Sequence, residues 1–91
     1  MSVVVRVPTI LRTYTGGAGE VTTAGTTLAE VLASLDLEYP GIAGRVLDDD
    51  GKVRRFVNVY VDDEDVRFAD GVSTTVPDGA TISVIPAVAG G

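Results

Sequence analysis

The chain contains no cysteine, no histidine and no tryptophan, and Lys52 is its single lysine. Without cysteine there is no disulfide, no thiol nucleophile and no zinc–thiolate site. Without histidine, acid–base chemistry near neutral pH would need a carboxylate or Lys52 with a strongly shifted pKa, and no pattern in the sequence marks one. Serines and threonines are present, but no base stands ready to activate them. These absences together argue against a self-contained active site. Positive charge is also scarce, at 7 Lys and Arg against 13 Asp and Glu, for a net charge of -6. Phosphate backbones are bound by basic residues, so nucleic acid is not the expected partner. An acidic surface fits steering toward a basic partner protein instead. No apolar run approaches the roughly 18 residues of a membrane span, so no membrane association is expected. Met1 leads directly into a strand pattern with no basic n-region or apolar h-region, and the expectation is a cytoplasmic protein without a secretory signal.

What is present fits one small domain of 91 residues, large enough for its own core. Residues 2–7 alternate as a strand, with Val3, Val5 and Val7 on one face and Val4 on the other. Pro8 ends it, residues 9–19 read as a loop rich in Gly and Thr, and residues 20–23 as a second strand. Thr26 or Thr27 can cap a helix, with Glu30 placed three residues after Thr27 as in a capping box. Leu28, Val31, Leu32 and Leu35 then form one apolar stripe, and Pro40-Gly41 stops the helix. Residues 41–47 read as a further short turn of helix. A turn at residues 48–51 precedes the strongest strand pattern, over residues 54–61. There Val57, Val59 and Val61 should meet the helix stripe, while Phe56, Asn58 and Tyr60 face away. Residues 62–65 read as a polar turn, 66–68 as a short strand or edge, and 80–85 as the last strand, with Ile82 and Val84 inward and Ile85 outward. One helix covers only one face of a sheet, so the pattern predicts an α+β domain with its other face open.

Two clusters resemble ligand loops only in part. Asp48, Asp50 and Gly51 start like a calcium loop, but the Gly comes too early and Val59 stands where the bidentate Glu belongs. Gly16-Gly17-Ala18-Gly19 lacks the Lys-Ser or Lys-Thr of a phosphate loop and precedes a strand. Solvated turns are the reading for both, and no metal site is expected. Phe56 and Tyr60, joined by Ile85 and Val4 on the open face, are the candidate docking surface. The last five residues, Ala87-Val88-Ala89-Gly90-Gly91, follow a proline and offer little to pack. They divide the chain into a domain over residues 1–86 and a flexible tail over residues 87–91. Gly has no Cβ, so Gly90 and Gly91 could enter a narrow channel and present the Gly91 carboxylate to another enzyme.

The order of elements closing on Gly90-Gly91 resembles the β-grasp, ubiquitin-like sulfur carriers of the ThiS and MoaD family. The ending Ile85-Pro86-Ala87-Val88-Ala89-Gly90-Gly91 is similar to the MoaD-type tail. Val7-Pro8-Thr9-Ile10-Leu11-Arg12, and the stretch from Arg55-Phe56-Val57 to Val66-Arg67-Phe68, resemble the cysteine-synthesis branch of that family, carriers of the CysO type. The resemblance implies a mixed sheet with one main helix packed on one face, and a monomer when free that binds no cofactor itself. It further implies that a MoeB-type enzyme uses ATP to adenylate Gly91 and exchange its oxygen for sulfur, with Ala87, Val88, Ala89 and Gly90 threading the active site. A cysteine synthase using pyridoxal phosphate would accept the sulfur from the thiocarboxylate, and a zinc metallopeptidase would release cysteine. Three alternatives stay open: sulfur delivery to molybdopterin, thiamin or a sulfur-containing natural product; conjugation to lysines as a protein modifier; and an inert interaction module.

Overall fold

The computed structural model describes residues 2–55 and 57–86. These residues form strand β1 (Val3–Arg6), strand β2 (Glu20–Thr23), helix α1 (Leu28–Glu38), the short helix α2 (Ala43–Val46), and strands β3 (Val57–Val61), β4 (Glu64–Asp65) and β5 (Thr81–Pro86). Phe56 and the tail over residues 87–91 lie outside the described residues, and the flexible-tail expectation lies there with them.

Helix α1 starts where the sequence places a cap. The Thr27 hydroxyl accepts a hydrogen bond from the Glu30 amide at 3.2 Å. The Glu30 carboxylate answers by accepting from the amide of Thr26 at 3.0 Å and from its hydroxyl at 2.8 Å. Those contacts satisfy donors at a helix start that would otherwise have no partner. Leu28, Val31, Leu32 and Leu35 are all buried, as the stripe predicts. In the last turn of the helix, Asp36 accepts from the amides of Gly41 at 2.9 Å and Ala43 at 3.2 Å, which ties the end of α1 to the start of α2.

The sheet order is β2-β1-β5-β3-β4. β1 pairs antiparallel with β2 and parallel with β5, and β5 pairs antiparallel with β3, so the sheet is mixed as expected. Val3, Val5, Val57, Val59, Val61, Ile82 and Val84 are buried in one core with the α1 stripe. The β-grasp arrangement that the sequence resembles is the observed one.

Several boundaries differ from expectation. The loop over residues 9–19 contains a 3₁₀ turn, Thr9–Leu11, whose Leu11 is buried. β3 begins at Val57, not at residue 54, because the Val57 amide bonds back to the Arg54 carbonyl at 3.0 Å and bends the chain there. The short fourth strand is Glu64–Asp65, inside the stretch read as a turn, while residues 66–68 form a 3₁₀ turn instead of a strand. The reason is a two-residue link: Asp62 adopts a positive φ of 55°, which closes a tight hairpin and sets Glu64 opposite Val61. Asp62 is held there by accepting from the Thr81 amide at 3.0 Å and donating to its carbonyl at 2.7 Å. β5 runs one residue further than expected, to Pro86 opposite Val57.

Candidate functional site: the open sheet face and the end of the last strand

β5 lies between β1 and β3, at the middle of the sheet, and its last described residue is Pro86. Strand alternation turns Val4, Tyr60 and Ile85 away from the helix, and all three retain solvent exposure while the valines that flank them, Val3, Val5, Val59, Val61 and Val84, are buried. Tyr60 stands opposite Ser83 and Ile85 opposite Asn58, so Tyr60 and Ile85 are diagonal neighbours. Such pairs lie within reach of an aromatic side chain. Val4 is placed differently. Its partner on β5 is Thr81, four residues before Ile85 and therefore about 13 Å away along the strand. The open face thus brings Tyr60 and Ile85 together and sets Val4 near its other end; Phe56 lies outside the described residues.

The acidic turn is occupied by its own backbone. Asp48 accepts from the amides of Asp50 at 2.9 Å and Lys52 at 3.0 Å. Among the described residues no group of three or more Asp or Glu side chains is arranged to hold a metal ion. The glycine-rich loop is likewise closed on itself: the Thr15 hydroxyl donates to the Ala18 carbonyl at 2.8 Å and the Gly17 amide to the Arg12 carbonyl at 2.7 Å. It leads into β2, as the sequence indicates, and not into a helix. Among the described residues no helix is long and apolar enough to cross a membrane.

Sequence reasoning missed the role of Arg67. Its guanidinium donates to the Asn58 side-chain oxygen at 2.8 Å, to the Val57 carbonyl at 2.7 Å, and to the Arg54 carbonyl. Its own amide is accepted by Asp65 at 2.8 Å. No spacing rule foretells such a contact, since a strand reading of residues 66–68 would have pointed the side chain elsewhere. Leu37 and Phe68 were also missed; both are apolar and more than four-fifths exposed, at 86% and 88%.

Residues 5–91 match the ThiS family. The sulfur carrier protein CysO of Mycobacterium tuberculosis is 50% identical over 93 residues that span 100% of both chains. Small archaeal modifier protein 3 of Haloferax volcanii is 46% identical over 65 residues, covering 71% of this chain and 70% of that one. Among solved structures, the crystal structure of the Amycolatopsis orientalis BexX/CysO complex superposes with a TM-score of 0.92 at 47% identity, over 98% of this chain and 99% of that one.

Proposed function

Because this chain belongs to the ThiS family, we propose that it is a sulfur carrier whose Gly91 carboxylate is activated and converted to a thiocarboxylate. The observation that carries the reading is the 50% identity with CysO over an alignment that covers 100% of both chains, so that Gly90-Gly91 lie within the compared span. The absence of histidine and cysteine agrees with it, because a carrier contributes a carboxylate and a docking surface while its partners contribute the catalytic groups.

A carboxylate is a poor electrophile. In the proposed sequence an oxygen of Gly91 attacks the α-phosphorus of ATP on a MoeB-type enzyme, pyrophosphate leaves, and a mixed anhydride with AMP results. A hydrosulfide-equivalent donor adds to the carbonyl carbon, AMP departs with the bonding pair, and the thiocarboxylate remains. The proposed acceptor is an aminoacrylate made from O-phosphoserine on a pyridoxal-phosphate cysteine synthase. The sulfur bonds to its β-carbon, the thioester rearranges to an amide, and a zinc metallopeptidase hydrolyses that amide to give cysteine and restore Gly91. On this reading the chain is a co-substrate and works in the cytoplasm. Delivery to molybdopterin, thiamin or another sulfur-containing product would use the same first two steps.

The likeness to a small archaeal modifier protein favours a second reading. The adenylate would be the same, but a lysine amine would attack it and form an isopeptide bond.

ATP–pyrophosphate exchange with a MoeB-type enzyme tests the activation step that both readings share. Deleting Gly91 leaves a carboxylate on Gly90 but withdraws it by about 3.3 to 3.6 Å. Since even ~1 Å of misplacement can cost on the order of 100-fold in rate, exchange should nearly vanish. Gly90→Val should fail as well, because a branched Cβ obstructs a narrow channel and stiffens the backbone. Near-normal exchange by the truncated chain would show that activation does not depend on the position of Gly91, and no exchange by the full chain would leave the inert-module reading in its place.

A further inference from the structure

β4 reaches only Tyr60 and Val61 of its neighbour, through the pairs Tyr60↔Asp65 and Val61↔Glu64. Among the described residues no strand covers the remaining part of that β3 edge, at Val57 and Asn58. Arg67 covers it instead. The chain leaves β4 at Asp65, whose carboxylate accepts from the Arg67 amide, and the next side chain, Val66, is fully buried. The Arg67 backbone is therefore fixed by a cap on its amide and by the buried residue just before it. From that base the guanidinium bridges the Val57 carbonyl, the Arg54 carbonyl and the Asn58 side chain. Only a planar fork can bond several acceptors in such a layout; an ammonium group carries the charge without the geometry.

The residues so held are the partners of the end of β5. Val57 stands opposite Pro86 and Asn58 opposite Ile85, the last two pairs of these strands among the described residues. Pro86 has no amide hydrogen to give a ladder. The position of Ile85 and Pro86, the last described residues of β5, thus depends on the start of β3 staying where Arg67 puts it.

We propose that Arg67 is a positioning residue for the reaction at Gly91: by bracing the start of β3, it fixes the point from which the tail sets out. This rests on the carrier reading above. Without the brace, the sheet's last firm pair retreats to Val59↔Val84. The tail's anchor then moves back by two residues, about 7 Å of extended chain. The carboxylate remains chemically intact and still reaches the activating enzyme, but occupies the reactive position for a smaller fraction of the time. Binding through the open face is affected less than the reaction, because Tyr60 keeps its pairs with Ser83 and Asp65 and Ile85 keeps its side chain, which the loosened end of β5 still presents.

The test compares wild type, Arg67→Ala, Arg67→Lys and Thr27→Ala in ATP–pyrophosphate exchange with a MoeB-type enzyme, with amide hydrogen exchange measured on the free proteins. Arg67→Ala should lower kcat about tenfold or more while KM changes less than about threefold. Ile85 and Asn58 amides should exchange at least about tenfold faster, while Val31 and Leu32 in α1 stay protected. Arg67→Lys should recover only a small part of the loss, since charge alone does not supply the fork. Thr27→Ala loosens the fold at the far end of the helix and should leave kcat at the wild-type value. Unchanged kcat in Arg67→Ala, full rescue by Arg67→Lys, or unchanged exchange at Ile85 would each overturn the role. No exchange activity in the wild-type protein would instead overturn the carrier reading, and this role with it.

Discussion

Tyr60 and Ile85 sit diagonally on the helix-free face of the sheet, one on β3 and one on β5, joined through the pairs Tyr60↔Ser83 and Asn58↔Ile85. Ile85 is the more exposed of the two, at 47%, and immediately precedes Pro86. An apolar anchor one residue before Pro86 would seat a partner's surface at the root of residues 87–91. Interfaces draw much of their energy from a few such anchors. Ile85→Ala and Tyr60→Ala are each expected to weaken binding to the activating enzyme about tenfold or more, with little change in Tm. Val4→Ala, whose position is separated from Ile85 along the strand, should change affinity far less. Calorimetric titration of the three variants checks the order, and equal losses in all three would show that the contact extends over the whole face.

Gly25 precedes the α1 cap with φ of 155°, and a Cβ built there would lie 2.6 Å from the Val31 amide nitrogen and 2.9 Å from one of its methyl groups. Both obstacles belong to a buried helix that cannot shift without disturbing the core. Gly25→Ala is expected to cost about 1 to 3 kcal/mol, in the range of other overpacked sites. A urea titration measures it. A cost indistinguishable from zero would mean that the turn before α1 relaxes freely.

The helix cap carries a pH signature. The Glu30 carboxyl is held below the ordinary range, first by the hydrogen bond from the Thr26 amide and then by the one from its hydroxyl. A carboxylate whose folded pKa is depressed stabilises the fold fully above its unfolded pKa, and that contribution is lost as pH falls through the lowered folded value. Glu30→Gln should therefore melt below wild type at neutral pH, and the gap should close as acid protonates Glu30. Thr27→Ala removes a hydroxyl that does not titrate, at a cost of about 1 kcal/mol, and its deficit should persist across the same pH series. Parallel melts of the two variants decide it; a Glu30→Gln gap constant with pH would contradict the assignment.

The helix and the inward residues of the main strands were legible because each rests on a local rule. Thr27 and Glu30 form a cap wherever the backbone turns into a helix there, and Val57, Val59 and Val61 alternate whatever stands opposite them. The segment from Asp62 to Phe68 was not legible for the opposite reason. Its course depends on Asp62 adopting a left-handed conformation and on Thr81, far away in sequence, holding it. That displaced the fourth strand by two residues and turned the predicted edge strand into the 3₁₀ turn that carries Arg67. The start of β3 was misplaced because a local turn, in which the Val57 amide bonds to the Arg54 carbonyl, interrupts the strand pattern, and Arg67 from that remote segment braces both carbonyls. Of the candidate site, Tyr60 and Ile85 followed from alternation, whereas the distance separating Val4 from Ile85 depends on the parallel β1–β5 register, which single-strand patterns do not contain.

The central claim concerns one atom on Gly91, and intact-protein mass spectrometry reads it most directly. The full chain is incubated with a MoeB-type activating enzyme, ATP and a sulfide donor, then separated and weighed beside a sample lacking ATP. The carrier account predicts an ATP-dependent gain equal to one oxygen replaced by one sulfur, localised to the C-terminal peptide and lost on deleting Gly91. An unchanged mass from an enzyme shown to activate a known carrier under the same conditions would contradict it, and so would a product whose only change is attachment to a target lysine.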